Sequence, residues 1–511
     1  TSWREGMDLF WIHPERQPEA NRVPNGRLFA GSLVDLQPGT HYKVRLTLHD
    51  PDGGSTTVKL DARTKPWPQV TSHFRERRVV PVESATEEVS STGQGEAIGL
   101  RQALQTARPG DLLLLQPGRY RVADLVLRTS GLVDRPIVIR GAHPGVVLDG
   151  AGADTLLDVS ETSHVWLENI TFENARALIR ADGAQDLVVR QNTFRVALRR
   201  DATGIETFDA DSSGFLVSDN EFLGPNEDWP MTTRNKTLKE RVNGITISGS
   251  GHDIAYNRIV GVGDGINTGR IVEHNAPHQG LSATDIYRND IDLARTECIE
   301  ADHALTNVRI YENRLTNCLY GVSAQPARGG PVYIFRNRIF NTSGGPFKLH
   351  NHTSGVLLLQ NTSVRHGVPF NIQPARETVN DVISRNNLFI GTESPALRST
   401  GRMRRCDFDN DGYAFGLGGT FMLWNQKGYA SPRQAAQAGV AYDRHGAHML
   451  FSGRVFANGP RPPTSSAKPL SPELNKPELS ADSRAIDKAV RLPNFDDGFE
   501  GMAPDLGCCE H

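Results

Sequence analysis

The stretch VRIYENRLTNCLYGVSAQPARGGPVYIFRNRIF, residues 308–340, states one pattern twice. In each half an apolar-x-apolar-x-x-Asn-x-apolar motif closes a run of valine, isoleucine and aromatic residues, with Asn313 and Asn337 in the same place 24 residues apart. Outward from this pair the motif recurs at Asn169, Asn192, Asn220, Asn257, Asn289, Asn361 and Asn386. Across the whole series the intervals are 23, 28, 37, 32, 24, 24, 24 and 25 residues. A base period near 24 with inserted loops marks an architecture whose units bury their apolar faces only against one another.

What fills each unit selects among such architectures. The segments VWLEN, LVVRQN, FLVSDN, DIAYN, DIYRN, LLLQN and VISRN alternate apolar with polar residues and are rich in β-branched and aromatic side chains. No fixed leucine lattice and no 3.6-residue stripe runs through them. A parallel β-helix is the expectation, each coil adding a rung about 4.8 Å above the last. Asparagines aligned at one turn of every coil would hydrogen-bond up and down a ladder, so they read as structural.

On these motifs the chain resembles the right-handed parallel β-helix proteins of the pectate-lyase-like superfamily, over residues 94–460. That group is dominated by polysaccharide lyases, glycoside hydrolases and uronan epimerases. The resemblance implies an all-β fold, a polysaccharide substrate, a monomer, and a secreted or periplasmic location. It does not fix the reaction, since fold alone does not determine chemistry.

Bulk properties agree. The 511 residues suggest more than one domain, and 49 glycines and 30 prolines suit a loop-rich β protein. A net charge of −3 argues against nucleic acid as a partner, because phosphate contacts need clustered excess base. No run of 18 apolar residues exists to span a membrane. The opening residues TSWREG lack an initiator methionine, as in a processed mature chain or a trimmed one. Five cysteines form neither a disulfide framework nor a zinc pattern, although Cys298 and Cys318 are candidates to pair and Cys508 and Cys509 are vicinal.

Residues 1–66 read as a small β-sandwich. Two long alternating strands flank the turn Asp50-Pro51-Asp52-Gly53-Gly54. LQPGTHYKVRLTL resembles the corner of a fibronectin type III module, with Tyr42 as its corner tyrosine. Residues 67–93 read as a linker. A short amphipathic helix with Ala97, Ile98, Leu100, Ala103 and Leu104, stopped by Pro109 and Gly110, follows and resembles the N-terminal cap of β-helix enzymes. Residues 461–511 read as an extended C-terminal segment.

Aligning the strands of one sheet places Ile205, Ile245, Ile266, Ile299, Val322, Phe347, Phe370 and Leu397 in an inward column. The next residue of each points outward: Glu206, Thr246, Asn267, Glu300, Ser323, Lys348, Asn371 and Arg398. Two positions on stand Asp302, Gln325, His350 and Gln373. This polar floor is either an ordinary solvated face or a site. Long loops at 225–244 and 268–284 flank it and supply Trp229, Arg241 and His278 as further substrate contacts.

Two chemistries compete, with β-elimination by a polysaccharide lyase the leading expectation and hydrolysis the alternative. In β-elimination on a uronic-acid polymer, Lys348 acts as base, with His350 or Arg398 assisting the enolate or leaving group. Asn267, Glu300 and Asp302 then hold calcium. This resembles the calcium ligands and floor lysine of chondroitinase B and alginate lyases, without those families' local lysine motif. In hydrolysis, Glu300 and Asp302 form a carboxylate pair while Lys348 and Arg398 grip an acidic substrate. Asp264 beside Gly265 loosely resembles the polygalacturonase type. The polar floor residues Asn267, Gln325, Asn371 and Gln373 line the substrate in either case, and a non-catalytic glycan-binding protein or an epimerase is the further alternative. Two more metal candidates are Asp407, Asp409 and Asp411 before Gly412, and the pair His274 and His278.

Overall fold

The computed structural model describes residues 3–12, 28–69, 74–81, 98–226, 242–268, 280–372, 377–416, 418–440, 442, 445, 447–450, 455–496 and 498–511. The chain is a parallel β-helix of about 11 turns. One face is a 14-stranded parallel sheet running from Arg75–Val79 to Arg402–Arg404 and Asp407–Asp409. Because Arg75–Val79 pairs in parallel with Asp111–Leu115, the solenoid begins inside the stretch expected to be a linker. Among the described residues no helix is long and apolar enough to cross a membrane.

The ladder is real, with a correction at each end. Asn192, Asn220, Asn257, Asn289, Asn313, Asn337, Asn361 and Asn387 stack in sequence, each side-chain oxygen accepting the backbone N–H of the residue one coil earlier. Their side-chain amides donate to the next oxygen in the column and to a strand carbonyl, as Asn313 Nδ2 does to Asn337 Oδ1 at 3.0 Å and to Ile286 O at 2.9 Å. Asn169 and Asn386 lie one residue earlier in the coil. There they share a left-handed backbone with Gln191, Asp219, Tyr256, Arg288, Glu312, Arg336, Gln360 and Asn410, at φ from 51° to 60°. Asparagine tolerates that conformation better than most residues, so the same letter serves two purposes at neighbouring positions.

Asp411 completes the column. Its carboxylate accepts from Asn387 N at 2.8 Å, Asn387 Nδ2 at 2.9 Å and Ser384 Oγ at 2.6 Å. Asp409 instead meets His445, and Asp407 meets Arg385. The three aspartates therefore point to separate partners rather than around one ion, which removes them as a calcium loop.

The inward column from Ile205 to Leu397 is fully buried, and its strand register matches the alignment read from sequence. Leu100, Ala103 and Leu104 of the helix Leu100–Gln105 close the N-terminal end of this core. Cys298 and Cys318 are free thiols within it. The N-terminal part comprises two two-stranded antiparallel sheets among the described residues, Phe10–Ile12 with Leu28–Ala30 and His41–His49 with Ser55–Arg63. The corner bond is present: Gln37 N donates to Tyr42 Oη at 2.8 Å.

The C-terminal segment packs along the outside of the coils. Leu479, Ala485 and Leu506 cover Phe340, Val364, Leu388 and Ile390, and Asn494 exchanges hydrogen bonds with Val34. Replacing Asn313 by alanine removes its side-chain bonds and strands the Asn289 amide; unfolding by denaturant should show a loss of about 1–3 kcal/mol. Asn169→Gly, off the ladder and in the left-handed position, should cost less.

Candidate active site

The floor is built as expected. Asn267, Glu300, Ser323 and Lys348 are register partners on four successive strands, ending Ile266–Asn267, Asp290–Glu300, Arg314–Ser323 and Arg338–Lys348. Asp302 follows on the next outward position. Ser323 Oγ donates to it at 2.6 Å, Gln325 N donates at 2.8 Å, and Glu300 hydrogen-bonds to it.

A second column, three residues earlier in each coil, completes the cluster; of its members the sequence pointed only to Asp264, beside Gly265, and not to Glu297. Asp264 and Glu297 stack there, with Tyr320 paired to Glu297 on the following strand. Strict alternation from inward Ile299 makes Glu297 inward too. The chain instead turns a corner: Cys298 and Ile299 both enter the core, so Glu297 emerges onto the floor. The constant three-residue offset between Asp264 and Asn267, and between Glu297 and Glu300, was the available signal.

The result is four carboxyl groups around one ammonium. Lys348 Nζ binds Glu297 Oε1 at 2.6 Å and lies 5.6 Å from the ring centre of Tyr320. Asn267 Nδ2 donates to Glu300 and, at 3.3 Å, to Asp264 Oδ2; Thr296 Oγ1 and Glu297 N donate to Asp264 Oδ1. Asp264, Glu297 and Asp302 are buried, and the Lys348 side chain is 18% exposed, which leaves it as an opening to solvent.

Burial and mutual repulsion govern ionisation here. Desolvation, then the charge of Glu300, pushes Asp264 up to about 7. Desolvation, then Asp302 and Glu297, holds Glu300 well above the usual carboxylate range. Asp302 rises only to about 6, because burial is opposed by the Ser323 hydrogen bond and by Lys348. Burial works to lower Lys348, but the charge and hydrogen bond of Glu297 prevail and raise it. His350 is lowered by burial and by Lys348, and its ring sits edge-on to Tyr320 at 6.4 Å.

Other expected residues fall elsewhere. Arg398 Nε donates to Asn371 Oδ1 at 2.8 Å, and these two stand four and three strands along from Glu300. At about 4.8 Å per strand, Arg398 is roughly 19 Å from Glu300 and outside reach of the same bond. Trp229, Arg241, His278 and Gln373, with the His274 partner of the loop pair, lie outside the described residues.

The calcium set Asn267, Glu300 and Asp302 does come together, but its polar atoms face one another: the Asn267 amide donates to Glu300, and Glu300 bonds to Asp302. Among the described residues no group of three or more His, Cys, Asp or Glu side chains could hold a metal ion. The arrangement does not fit a cation, and no step below passes through one.

No protein-family model matches the chain, and no curated protein matches it. Among solved structures, pectate lyase Pel9A is 15% identical, with 86% of this chain and 98% of that chain covered at a TM-score of 0.41. An alginate lyase from Paenibacillus sp. str. FPU-7 is 15% identical over 60% of this chain and 94% of its own, at 0.35. A family 28 exopolygalacturonase from Yersinia enterocolitica is 9% identical over 80% and 92%, at 0.40. The fold rests on the chain's own strand register.

The raised Asp264 carboxyl sets a pH dependence of stability. The folded state holds its proton more tightly than the unfolded chain, whose ordinary value is 3.8. Its contribution is full below about pH 4 and is lost as pH rises towards 7. Denaturant unfolding across that window should show stability falling in the parent protein and falling less in Asp264→Asn.

Proposed function

We propose that the protein is a polysaccharide-degrading enzyme that holds a glycan along the floor and cleaves it with the carboxyl pair Glu300 and Asp302. The observation that supports this is the separation of the pair's affinities for a proton: Glu300 is kept protonated, while Asp302, backed by Ser323 and the Gln325 amide, ionises more readily. Pairs of titratable groups pushed apart by their surroundings divide into acid and base.

In the proposed step Glu300 gives its proton to the glycosidic oxygen as the bond from that oxygen to the anomeric carbon breaks. Water adds to the anomeric carbon, and its proton passes to Asp302. The hydrogen bond between the two carboxyls then returns that proton to Glu300. Their direct contact is closer than the carboxyl spacings of about 5–9.5 Å in most glycosidases, so the substrate has to open it on binding.

Hydrolysis is favoured over β-elimination by the state of Lys348. A base must be unprotonated near neutral pH, and Glu297 holds the Lys348 proton in place. Lys348 instead suits a charge partner for a uronic-acid carboxylate, with Arg398 serving the same purpose farther along. A secreted or periplasmic location accords with such a substrate.

Incubation with a panel of acidic polysaccharides should release reducing ends without the absorbance of an unsaturated uronic product. Glu300→Gln should lower kcat by about 10²–10⁴-fold. Rate should fall on the acid side as Asp302 takes a proton near pH 6 and on the alkaline side as Glu300 loses its own. An unsaturated product, or full activity in Glu300→Gln, would overturn the hydrolytic assignment; tight glycan binding with no new ends would leave a binding protein.

A further inference from the structure

The five cysteines stand in two chemical settings. Cys298 and Cys318 are wholly buried in the core, where Cys298 Sγ meets the carbonyls of Ile291 and Thr316 at 3.9 Å. Burial pushes the Cys406 thiol up to about 12. The first two are sealed from reagents and the third holds its proton, so all three are inert near neutral pH.

Cys508 and Cys509 differ. Neighbouring residues of an extended chain turn their side chains to opposite faces, but here the backbone folds so that the two sulfurs converge to 2.7 Å. On the near side of the turn Gly507, at a φ of 99° that suits glycine alone, donates its N–H to Asn386 O at 2.8 Å, and Cys508 N donates to Thr362 Oγ1 at 2.9 Å. Two coils of the solenoid thus grip it. On the far side His511 N donates to Asp505 Oδ2 at 2.8 Å and Asp505 N to Glu510 Oε1 at 3.3 Å, which folds the chain back on itself. Bonds on both sides hold the thiols face to face.

Both residues are partly exposed, and Cys508 lines a cavity of about 540 Å³ at the ladder turn. The hydrogen bond with Cys508, helped by the charge of Arg338 and opposed by burial, holds the Cys509 thiol below its ordinary value, whereas burial raises Cys508. One sulfur is the readier nucleophile, and the other stands within reach to complete an exchange.

We propose that Cys508 and Cys509 form a thiol–disulfide exchange site that takes a small-molecule disulfide, with glutathione disulfide as the type, and closes to a vicinal disulfide. In the first step the Cys509 thiolate attacks one sulfur of the reagent. A new S–S bond forms, the reagent's own S–S bond breaks, and one glutathione leaves as its thiolate. Cys508 then gives up its proton, and its sulfur attacks the Cys509 sulfur and expels the second glutathione. The cysteines lose two electrons and two protons in all, and the reagent takes them up as it is reduced to two thiols. Adjacent Cα atoms stand about 3.8 Å apart, short of the roughly 4.4–6.8 Å that a relaxed disulfide spans, so the closed ring is strained and readily reduced again. The site is reversible, and it lies where the C-terminal segment is fastened to the coils.

Incubating the folded full chain with glutathione disulfide at mildly alkaline pH, then quenching with acid and titrating thiols in denaturant, tests this. Two of the five thiols should disappear. The peptide carrying Cys508 and Cys509 should become lighter by two hydrogens with no glutathione attached, and dithiothreitol should restore it. Cys508→Ser should stop at a stable glutathione adduct on Cys509, and Cys509→Ser should react at least about tenfold more slowly. Five thiols remaining, a lasting adduct on the parent protein, or loss spread over Cys298, Cys318 and Cys406 would each overturn the proposal. The parent protein alone yields these outcomes, so a variant that fails to fold leaves the test decided.

Discussion

The structure depends on the trade made at one turn of every coil. There a residue enters the left-handed region, at a cost of about 1–2 kcal/mol for anything but glycine, and the next residue is an asparagine whose buried amide bonds to the coils on either side. Several hydrogen bonds worth about 1 kcal/mol each offset that cost and fix the vertical register. Register is what matters for chemistry, since a slip of one residue would turn Glu300 into the core and Ile299 onto the floor.

The solenoid and the floor were legible because both follow from period. The 24-residue repeat placed Asn267, Glu300, Ser323 and Lys348 side by side, and the strand pairing agrees. What alternation could not supply was the corner before each floor strand. Asp264 and Glu297 sit beyond that corner, where a period-two reading assigns them to the interior, and Glu297 decides the state of Lys348. The ladder was misread at its ends for a related reason: Asn169 and Asn386 satisfy the local motif while serving the left-handed position, and Asp411 does an asparagine's work under another letter. Arg398 was assigned to bond cleavage from its column alone, although a column fixes direction and says nothing of distance along the stack.

The floor concentrates charge in a place with little water to screen it. Four carboxyls and one ammonium would repel strongly if all were ionised, and protons retained by Glu300 and Asp264 relieve that repulsion. In the reaction proposed above, the same retention is what lets Glu300 serve as the acid. The electrostatic strain and the proposed acid role thus have one source, the packing of acidic side chains onto adjacent rungs about 4.8 Å apart.

The strap formed by the last fifty residues changes how such a solenoid must come into being. An unadorned stack of coils can zip up from one end as it is synthesised, each coil resting on its predecessor. Here Phe340, Val364, Leu388 and Ile390 present greasy outer surfaces that only residues translated much later can shield, and Asn494 ties the far end back to Val34 near the start. The strap thus joins coils distant in sequence, which favours their loss together over fraying one coil at a time.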